Sequence, residues 1–426
     1  NKADSAIMAD LLRKADFTQT RLEEATFVII NTCGVKQQTE NKIVARLKEL
    51  QATYGKDPDK KLIIAGCLPH ISSKYLQKIQ EILPSFAAII DLDNIHEIED
   101  ICDRILKGEK DLILLSDHLL DKSEFLIDYP QTKNTGIVPI SEGCLGACTY
   151  CCVKNARGKL QCYNPETIVR NVEHQLLQGI KQIYLTSQDC SLYESKSTNL
   201  YHLVRRVNEL DYEFFLRLGM INPRMLKDHL DQLLSILELE QIYQFLHIPI
   251  QSGSSKILNT MQRPYTISEI VDPIETLRKK FPHLTLSTDI ICGFPGETEY
   301  DFYRTLNFIK WLRPEILNIS KFTPRPGTKA KKMEQVDGQI IKQRSARLSH
   351  LFRILLEKTN LSWGGWQGKV LMLHQGSEPH QAFGRNFAYK NVFINDYKGE
   401  YGVFRDVEIN RVEGFNLFGK LLKKEK

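Results

Sequence analysis

Cys144-Leu-Gly-Ala-Cys-Thr-Tyr-Cys151 comes just after the short apolar stretch Gly136-Ile-Val-Pro-Ile140. Three thiols at this C-x-x-x-C-x-x-C spacing can hold a four-iron, four-sulfur cluster and leave its fourth iron without a protein ligand. A cluster held by four cysteines only moves electrons, whereas an iron with an open position can also bind a substrate. Cys144, Cys148 and Cys151 therefore point to catalysis. The competing reading is a structural zinc site, which needs a second pair of Cys or His to close four-fold coordination. No such pair lies within the next forty residues. Cys152 adjoins Cys151 and Cys162 lies further on, but adjacent cysteines cannot readily turn both thiolates toward one ion.

The chain has 426 residues, enough for two or three domains, and 42% are hydrophobic, so packed cores are expected. Ten cysteines are too sparse for a disulfide scaffold. Their clustering beside strand ends suits reduced thiolates, which makes cytoplasm the expected compartment. No run approaches the roughly 18 apolar residues of a membrane span, and Asn1-Lys-Ala-Asp does not read as a signal peptide. The net charge of +5 is mild, so location matters more than total. Arg325, Lys329, Lys331, Lys332, Lys342, Arg344 and Arg347 are opposed only by Glu334 and Asp337. Such a run reads either as a phosphate-facing stripe or as a solvated helix face.

The expected fold class is α/β in three parts. Residues 1–115 alternate apolar strands with helical periodicity: Thr26 to Ile30 precedes a helix near Gln38 to Leu50, Leu62 to Ala65 precedes another near Ser73 to Leu83, and Ala87 to Ile90 opens a third unit. This pattern predicts an open parallel sheet covered by helices. Cys33 falls three residues past the first predicted strand and Cys67 two past the second, where open α/β sheets gather ligands. Either thiol alone reads as a small core residue; the paired placement suggests a site. Cys102 reads as the inner face of a helix with Ile98, Ile101 and Ile105.

Residues 134–360 repeat strand and helix six times, with strands starting near Gly136, Lys181, Glu213, Gln244, His283 and Glu315. Six units predict a partial (βα)6 barrel with the cysteine triplet at its carboxyl end. Polar groups and glycines close the following strands: Leu185-Thr-Ser-Gln-Asp189, Arg217-Leu-Gly219, Pro249-Ile-Gln-Ser-Gly253 and Thr288-Asp-Ile-Ile-Cys-Gly-Phe-Pro-Gly296. Each puts a hydrogen-bonding group or a glycine where a small polar ligand could lie across the mouth, and Gly293 and Phe294 are counted among the residues expected to hold it. Gly293 to Glu297 lacks the lysine and spacing of a nucleotide loop, and neither G-x-S-x-G nor H-E-x-x-H occurs. His247 reads as a barrel-interior histidine. Residues 366–426 alternate apolar and polar residues between glycines and asparagines, which predicts a small antiparallel β-barrel. Its aromatics Phe387, Tyr389, Phe393 and Tyr397 are interleaved with charges, a mix that suits RNA but must also build a core.

The cysteine motif, Asn155-Ala-Arg-Gly158, Leu185 to Asp189, Phe245-Leu-His-Ile-Pro-Ile-Gln251, Thr288 to Thr298 and Thr323-Pro-Arg-Pro-Gly-Thr328 together resemble the radical S-adenosylmethionine (SAM) methylthiotransferases. The resemblance is closest to the archaeal and eukaryotic branch that acts on threonylcarbamoyladenosine in tRNA. It covers nearly the whole chain, including an amino-terminal domain around Asn31-Thr-Cys-Gly34 and Ala65-Gly-Cys-Leu68 and a carboxy-terminal RNA-binding barrel of TRAM type. It implies two [4Fe-4S] clusters and SAM as cofactors. One cluster would sit on Cys144, Cys148 and Cys151 and bind SAM; its cleavage would give a 5′-deoxyadenosyl radical that takes hydrogen from C2 of the adenine. The other, on Cys33, Cys67 and one further cysteine, would deliver sulfur, which a second SAM methylates. Tyr150 would lie near the SAM adenine, with Gln188, Asp189, Arg217 and Gln251 toward its amino acid and ribose.

The implied partners are tRNA, an electron donor protein and a sulfur source, with no membrane and a monomeric chain. The resemblance puts the third auxiliary ligand just before Asn1-Lys-Ala-Asp-Ser5. The chain is thus expected to start inside the native protein, with that cluster absent or incomplete in this form. Cys190 and Cys152 depart from the family pattern and are expected to be inert. Arg157, Arg217 and Arg325 are the basic residues considered for a substrate carboxylate. Isopentenyladenosine or a ribosomal-protein aspartate as substrate, and a zinc-stabilised RNA-binding protein without catalysis, remain as alternatives.

Overall fold

The computed structural model describes residues 1–35, 37–116, 120–130 and 133–422, so the expected end of the third part, 423–426, lies outside the described residues. Four parallel strands, Phe27–Thr32, Lys61–Gly66, Phe86–Ile90 and Leu112–Leu114, lie side by side in chain order. Their Ile, Val and Ala runs are covered on both faces, as parallel sheets require. Helices Gln37–Tyr54 and Ser73–Ile82 cover one face through Leu47, Leu50, Tyr75 and Ile79. Helices Lys2–Lys14 and Ile98–Leu106 cover the other through Ile7, Met8, Ile98, Ile101 and Ile105. Cys102 is buried in that second layer, where burial pushes its thiol up to about 12. The first strand runs on to Thr32 and the second to Gly66, so Cys33 and Cys67 follow their strands directly, closer than the sequence suggested.

Six further parallel strands, Thr135–Pro139, Gln182–Thr186, Phe215–Leu218, Phe245–His247, Thr285–Cys292 and Ile316–Lys321, form two three-stranded sheets in chain order. Single bridges from Leu216 to Ile242 and from Met220 to His247 join the two halves. Among the described residues the sixth strand does not pair with the first, so the wall is an arc. Alternation sorts its residues. Val138, Ile183, Leu185, Leu216, Leu218, Leu246 and Ile290 pack outward under the helices, while Tyr184, Arg217, Phe245, His247 and Asp289 belong to the inner face.

The last five strands, Gln367–Gln375, Ala382–Asn386, Asn391–Ile394, Val403–Glu413 and Asn416–Leu421, close into a small barrel. It is not wholly antiparallel, because the third and fifth strands pair in parallel. A ring of five strands cannot alternate direction at every neighbour, so one parallel pair is unavoidable. The stretch from Phe387 to Lys390, whose apolar and polar residues alternate as in a strand, is a turn: Asn386 Oδ1 accepts from the backbone N–H groups of Ala388 (3.2 Å) and Lys390 (3.0 Å), and Tyr389 has φ 60°. That turn drives Tyr389 into the strand-start end of the six-stranded arc. Its ring lies 4.6 Å from Phe245 and 4.9 Å from Tyr243, and its hydroxyl is 2.6 Å from that of Tyr184. The small barrel thus plugs the floor of the larger one.

A buried network of four charges ties the first unit to the arc. Lys122 Nζ is 3.2 Å from Asp4 and also bonds Glu142, and the Arg157 guanidinium reaches Glu142 at 2.6 Å and Asp4 at 3.4 Å. Burial by itself would raise the Asp4 pKa, yet Lys122, the Asn1 amino group at 3.1 Å and Arg157 together hold the carboxyl well below the usual range. A depressed folded-state pKa contributes stability above the unfolded pKa of about 3.9 that is lost as pH falls toward the folded value. Asp4→Asn is expected to cost about 3–5 kcal/mol at neutral pH by leaving buried cations underpaired. It should also flatten the acid limb of a pH series of urea melts; an unchanged acid limb would contradict the assignment.

Candidate active site

The cysteine loop leaves the first strand of the arc through Gly143, whose φ is 78° and where an added Cβ would stand 2.0 Å from the Lys159 carbonyl oxygen. Three bonds hold its second half. Thr149 donates from N to Met261 O (3.0 Å) and from Oγ1 to Thr260 O (3.0 Å), and Ala330 N donates to Thr149 O (2.9 Å). Tyr150 packs edge-on to Phe294 at 6.3 Å, and Phe294 in turn meets Phe322 at 5.4 Å. The first half stays open, with Leu145 60% exposed.

Each of the three sulfurs has an N–H donor. Gly146 N lies 3.2 Å from Cys144, Val153 N 3.5 Å from Cys151, and Arg263 Nη1 3.4 Å from Cys148. Arg263 is itself fixed by Pro249 O (3.2 Å) and Tyr265 Oη (3.1 Å). Burial pushes the Cys144 thiol up and the Cys151 thiol up to about 12, so each sulfur becomes a thiolate when a metal replaces its proton. Among the described residues, no three Cys, His, Asp or Glu converge on one point. A zinc ion would need four donors about 2.0–2.3 Å from one centre, whereas in a cubane each thiolate binds a separate iron. The donor set fits the cluster.

Around the mouth, the predicted residues divide. Gln188 Oε1 is buried without a partner, an acceptor left for a ligand. Asp189 is already used: its Oδ1 accepts from Ser191 N (3.1 Å), Ser191 Oγ (2.5 Å) and Asn222 N (3.3 Å), capping the next turn, and burial raises its pKa. Gln251 has φ 77° and pairs with the fifth strand of the arc, its N–H donating to Asp289 O at 2.8 Å and its carbonyl accepting from Ile291 N at 2.9 Å. Gly293 has φ 77° and donates to Glu297 Oε2 at 2.8 Å, and Phe294 is fully buried behind Tyr150. Arg217 lies toward the floor, its guanidinium 4.7 Å from the Phe245 ring and 5.1 Å from those of Tyr184 and Tyr389. His247 is interior as expected and pairs with Asp289, Nε2 to Oδ2 at 2.8 Å. Asp289 and Arg263 escaped the sequence reading. Alternation within Thr288 to Cys292 could have turned Asp289 inward, but nothing in Met261-Gln-Arg-Pro264 marks a sulfur contact.

Cys33 and Cys67 do come together. The hydrogen bond from Cys67, aided by Val35 N–H and Arg157 against burial, holds the Cys33 thiol down at about 5, while Cys67 is pushed up. Gly34 N donates to Cys67 Sγ at 3.4 Å. Asn1 lies beside this crevice, its Nδ2 2.8 Å from Thr32 O. Cys190 is core packing, and burial pushes it up to about 12. Two expectations for basic residues change. Arg157 and Arg325 are committed to the buried carboxylates Glu142 and Glu40, so neither is free for a substrate carboxylate. The predicted stripe also loses Arg344 to buried Glu297 and Arg347 to Glu299, leaving Lys329, Lys331, Lys332 and Lys342 exposed. A count of charges cannot show which of them pair.

The Radical SAM superfamily pattern matches residues 138–309, and that of an uncharacterized protein family, UPF0004, matches residues 1–88. A protein of Pyrococcus abyssi named "Probable threonylcarbamoyladenosine tRNA methylthiotransferase" is 39% identical over 429 residues, 99% of this chain and 97% of its own length. The Homo sapiens threonylcarbamoyladenosine tRNA methylthiotransferase is 34% identical over 83% of this chain and 60% of its own length. Among solved structures, the radical S-adenosylmethionine methyltransferase TsrM from Kitasatospora setae, with cobalamin and a [4Fe-4S] cluster bound, shares the fold. Its TM-score is 0.56 at 14% identity, covering 77% of this chain and 73% of that one. The chain belongs to the threonylcarbamoyladenosine tRNA methylthiotransferase family of radical SAM enzymes.

Proposed function

We propose that this chain converts N6-threonylcarbamoyladenosine in tRNA to its 2-methylthio derivative. Cys144, Cys148 and Cys151 hold the SAM-binding cluster, and Cys33 and Cys67 are two ligands of the second. The observation that carries this reading is the set of three sulfurs on one loop, each with its own N–H donor, at the mouth of an arc of six strands. Held by Cys144, Cys148 and Cys151, a [4Fe-4S] cluster would supply an electron and an open iron position for cleavage of SAM to methionine and a 5′-deoxyadenosyl radical. Tyr150 and Phe294 provide an apolar wall behind the loop, and Gln188 Oε1 offers an unpaired acceptor. The strained backbone at Gln251 is the kind that persists where a ligand is positioned. Tyr389 and its neighbours close the floor and exclude water from that side. Replacing C2–H by C2–SCH3 needs a sulfur atom, one SAM for the hydrogen, another for the methyl group, and external electrons. A sulfur source and an electron donor protein are therefore partners by chemical balance.

RNA has a suitable surface on the small barrel. His374, Phe383, Phe393, Phe418 and Arg411 stand directly opposite one another across all five strands. Phe393 stacks on Phe418 at 5.6 Å, His374 on Phe383 at 4.7 Å, and Arg411 lies 4.1 Å over Phe418. Their strand neighbours Ala382, Val392, Ile394 and Leu417 fill the core, so the row faces outward. Phe383 also packs, with Phe387 and Tyr389, against the contact between barrels, so the part of the row left to RNA is Phe393, Phe418 and Arg411, with exposed His374.

Anaerobic incubation of reconstituted protein with tRNA, SAM and reductant, followed by nucleoside mass spectrometry, is expected to give 2-methylthio-N6-threonylcarbamoyladenosine. Cys144→Ala, Cys148→Ala or Cys151→Ala should each abolish 5′-deoxyadenosine; absence of any methylthio nucleoside from wild type would reject the proposal. Arg263→Gln removes the charged donor from Cys148 and is expected to lower iron retention or SAM cleavage about 10- to 100-fold. Unchanged iron content and turnover would count against that contact. Phe393→Ala and Phe418→Ala should weaken tRNA binding by about 1–3 kcal/mol per stacked base at fixed salt, read by fluorescence anisotropy; equal affinity would remove the row from the RNA interface.

A further inference from the structure

The two cysteine-bearing loops meet at a seam. Cys152 is the chain neighbour of Cys151, Gly34 is the chain neighbour of Cys33, and the Cys152 thiol donates to Gly34 O at 3.7 Å. Gly34 is closely packed, since an added Cβ would push against the Ile71 and Leu68 side-chain ends. Arg325 seals the same point. Its Nη2 also donates to Gly34 O, while Nη1 reaches Gln37 Oε1 at 2.5 Å and Glu40 Oε2 at 2.8 Å. The Arg325 side chain is 5% exposed and that of Glu40 2%. Glu40 is fixed in turn by Tyr75 Oη at 3.0 Å and Lys78 Nζ at 3.2 Å.

The segment that carries Arg325 grips the other loop as well. Ala330 N bonds Thr149 O at 2.9 Å, inside the cysteine triplet, and Thr328 Oγ1 bonds Arg325 O at 2.7 Å. Gly327 is backed against Asn155, whose Nδ2 would lie 2.6 Å from an added Cβ. One short segment therefore holds both loops, with a buried guanidinium on one side and a backbone bond on the other. A guanidinium fork fixes direction as well as distance, which a lysine cannot do.

We propose that Arg325 is a positioning residue that sets the geometry between the two cysteine sites, and that this seam decides whether hydrogen abstraction is followed by sulfur insertion. The inference rests on the function proposed above. A single adenine carbon must be reached first from one site and then from the other, and an error near 1 Å in such an arrangement costs about 100-fold. When the seam slips, SAM is still cleaved, with hydrogen drawn from buffer or reductant, but the adenine is not thiolated.

The test uses the full-length holoprotein carrying Arg325→Lys, with Glu40→Gln as a second variant that loosens the same guanidinium without removing it. The magnetic dipolar coupling between the two reduced clusters reports their separation, and methylthio nucleoside formed per 5′-deoxyadenosine reports coupling of the two half-reactions. Arg325→Lys is expected to keep iron and sulfide content, alter the dipolar coupling, and lower the product ratio about 10- to 100-fold. Glu40→Gln should shift both readouts in the same direction by less, and it carries the test if Arg325→Lys does not fold. Unchanged dipolar coupling and ratio would overturn the proposal, as would iron loss in both variants, which would make Arg325 structural only. Wild-type protein that makes no methylthio nucleoside would instead defeat the functional reading, leaving the comparison of cluster separation intact.

Discussion

Thr149 is tied from both sides, to Met261 and Thr260 through its N–H and hydroxyl and to Ala330 through its carbonyl, and the site depends on that tie. A loop presenting three thiols has no regular partner for its own backbone, so its polar groups must be satisfied by neighbours if half of it is to be buried. The partners here come from the turns after the fourth and sixth strands of the arc. The loop is thereby fixed by elements far from it in sequence, and its sulfurs inherit the rigidity of the wall. Thiols buried in this way resist ionisation until a metal takes the proton's place, which joins cluster binding to the ordering of the mouth.

Buried charge ties the amino-terminal unit to the arc at two points. Asp4, Lys122, Glu142 and Arg157 form one lock, and Glu40 with Arg325 forms the other. Buried ion pairs are poor sources of net stability because desolvation offsets most of the attraction, but each allows one arrangement of its partners. An interface of oily side chains could slide; a guanidinium between a carboxylate and a carbonyl cannot without leaving a charge unpaired. Charge at this seam accords with the proposal that the two cysteine sites share one substrate atom. At the other end the demand is different, and Tyr389 closes the floor with aromatic area instead.

Much of this was legible in the sequence. Strand and helix alternation placed three of the four strands of the first sheet and all six of the arc to within a few residues, because each is an apolar run bounded by polar turns; the fourth, Leu112–Leu114, is only three residues long and was not marked. The spacing of Cys144, Cys148 and Cys151 pointed to the radical SAM family, whose pattern the chain matches, because the motif is a local property of one loop. Less legible was whatever depends on long-range partners. Arg263 touches Cys148 across 115 positions of chain, and Arg325 looked like part of a phosphate stripe until its buried carboxylate was in view. Phe387 to Lys390 carries a strand-like pattern, yet Asn386 folds it into a turn. Helix Lys2–Lys14 went unnoticed, although Asn1 stands at its N-cap position.

The central claim is that the triplet leaves an iron able to bind SAM. It is tested most directly by electron–nuclear double resonance on the reduced protein with SAM labelled in its amino and carboxylate groups. Strong hyperfine coupling from both labels to the cluster, absent in Cys148→Ala, is the expected result. A reduced cluster with all three cysteines present and no coupling to either label would contradict it.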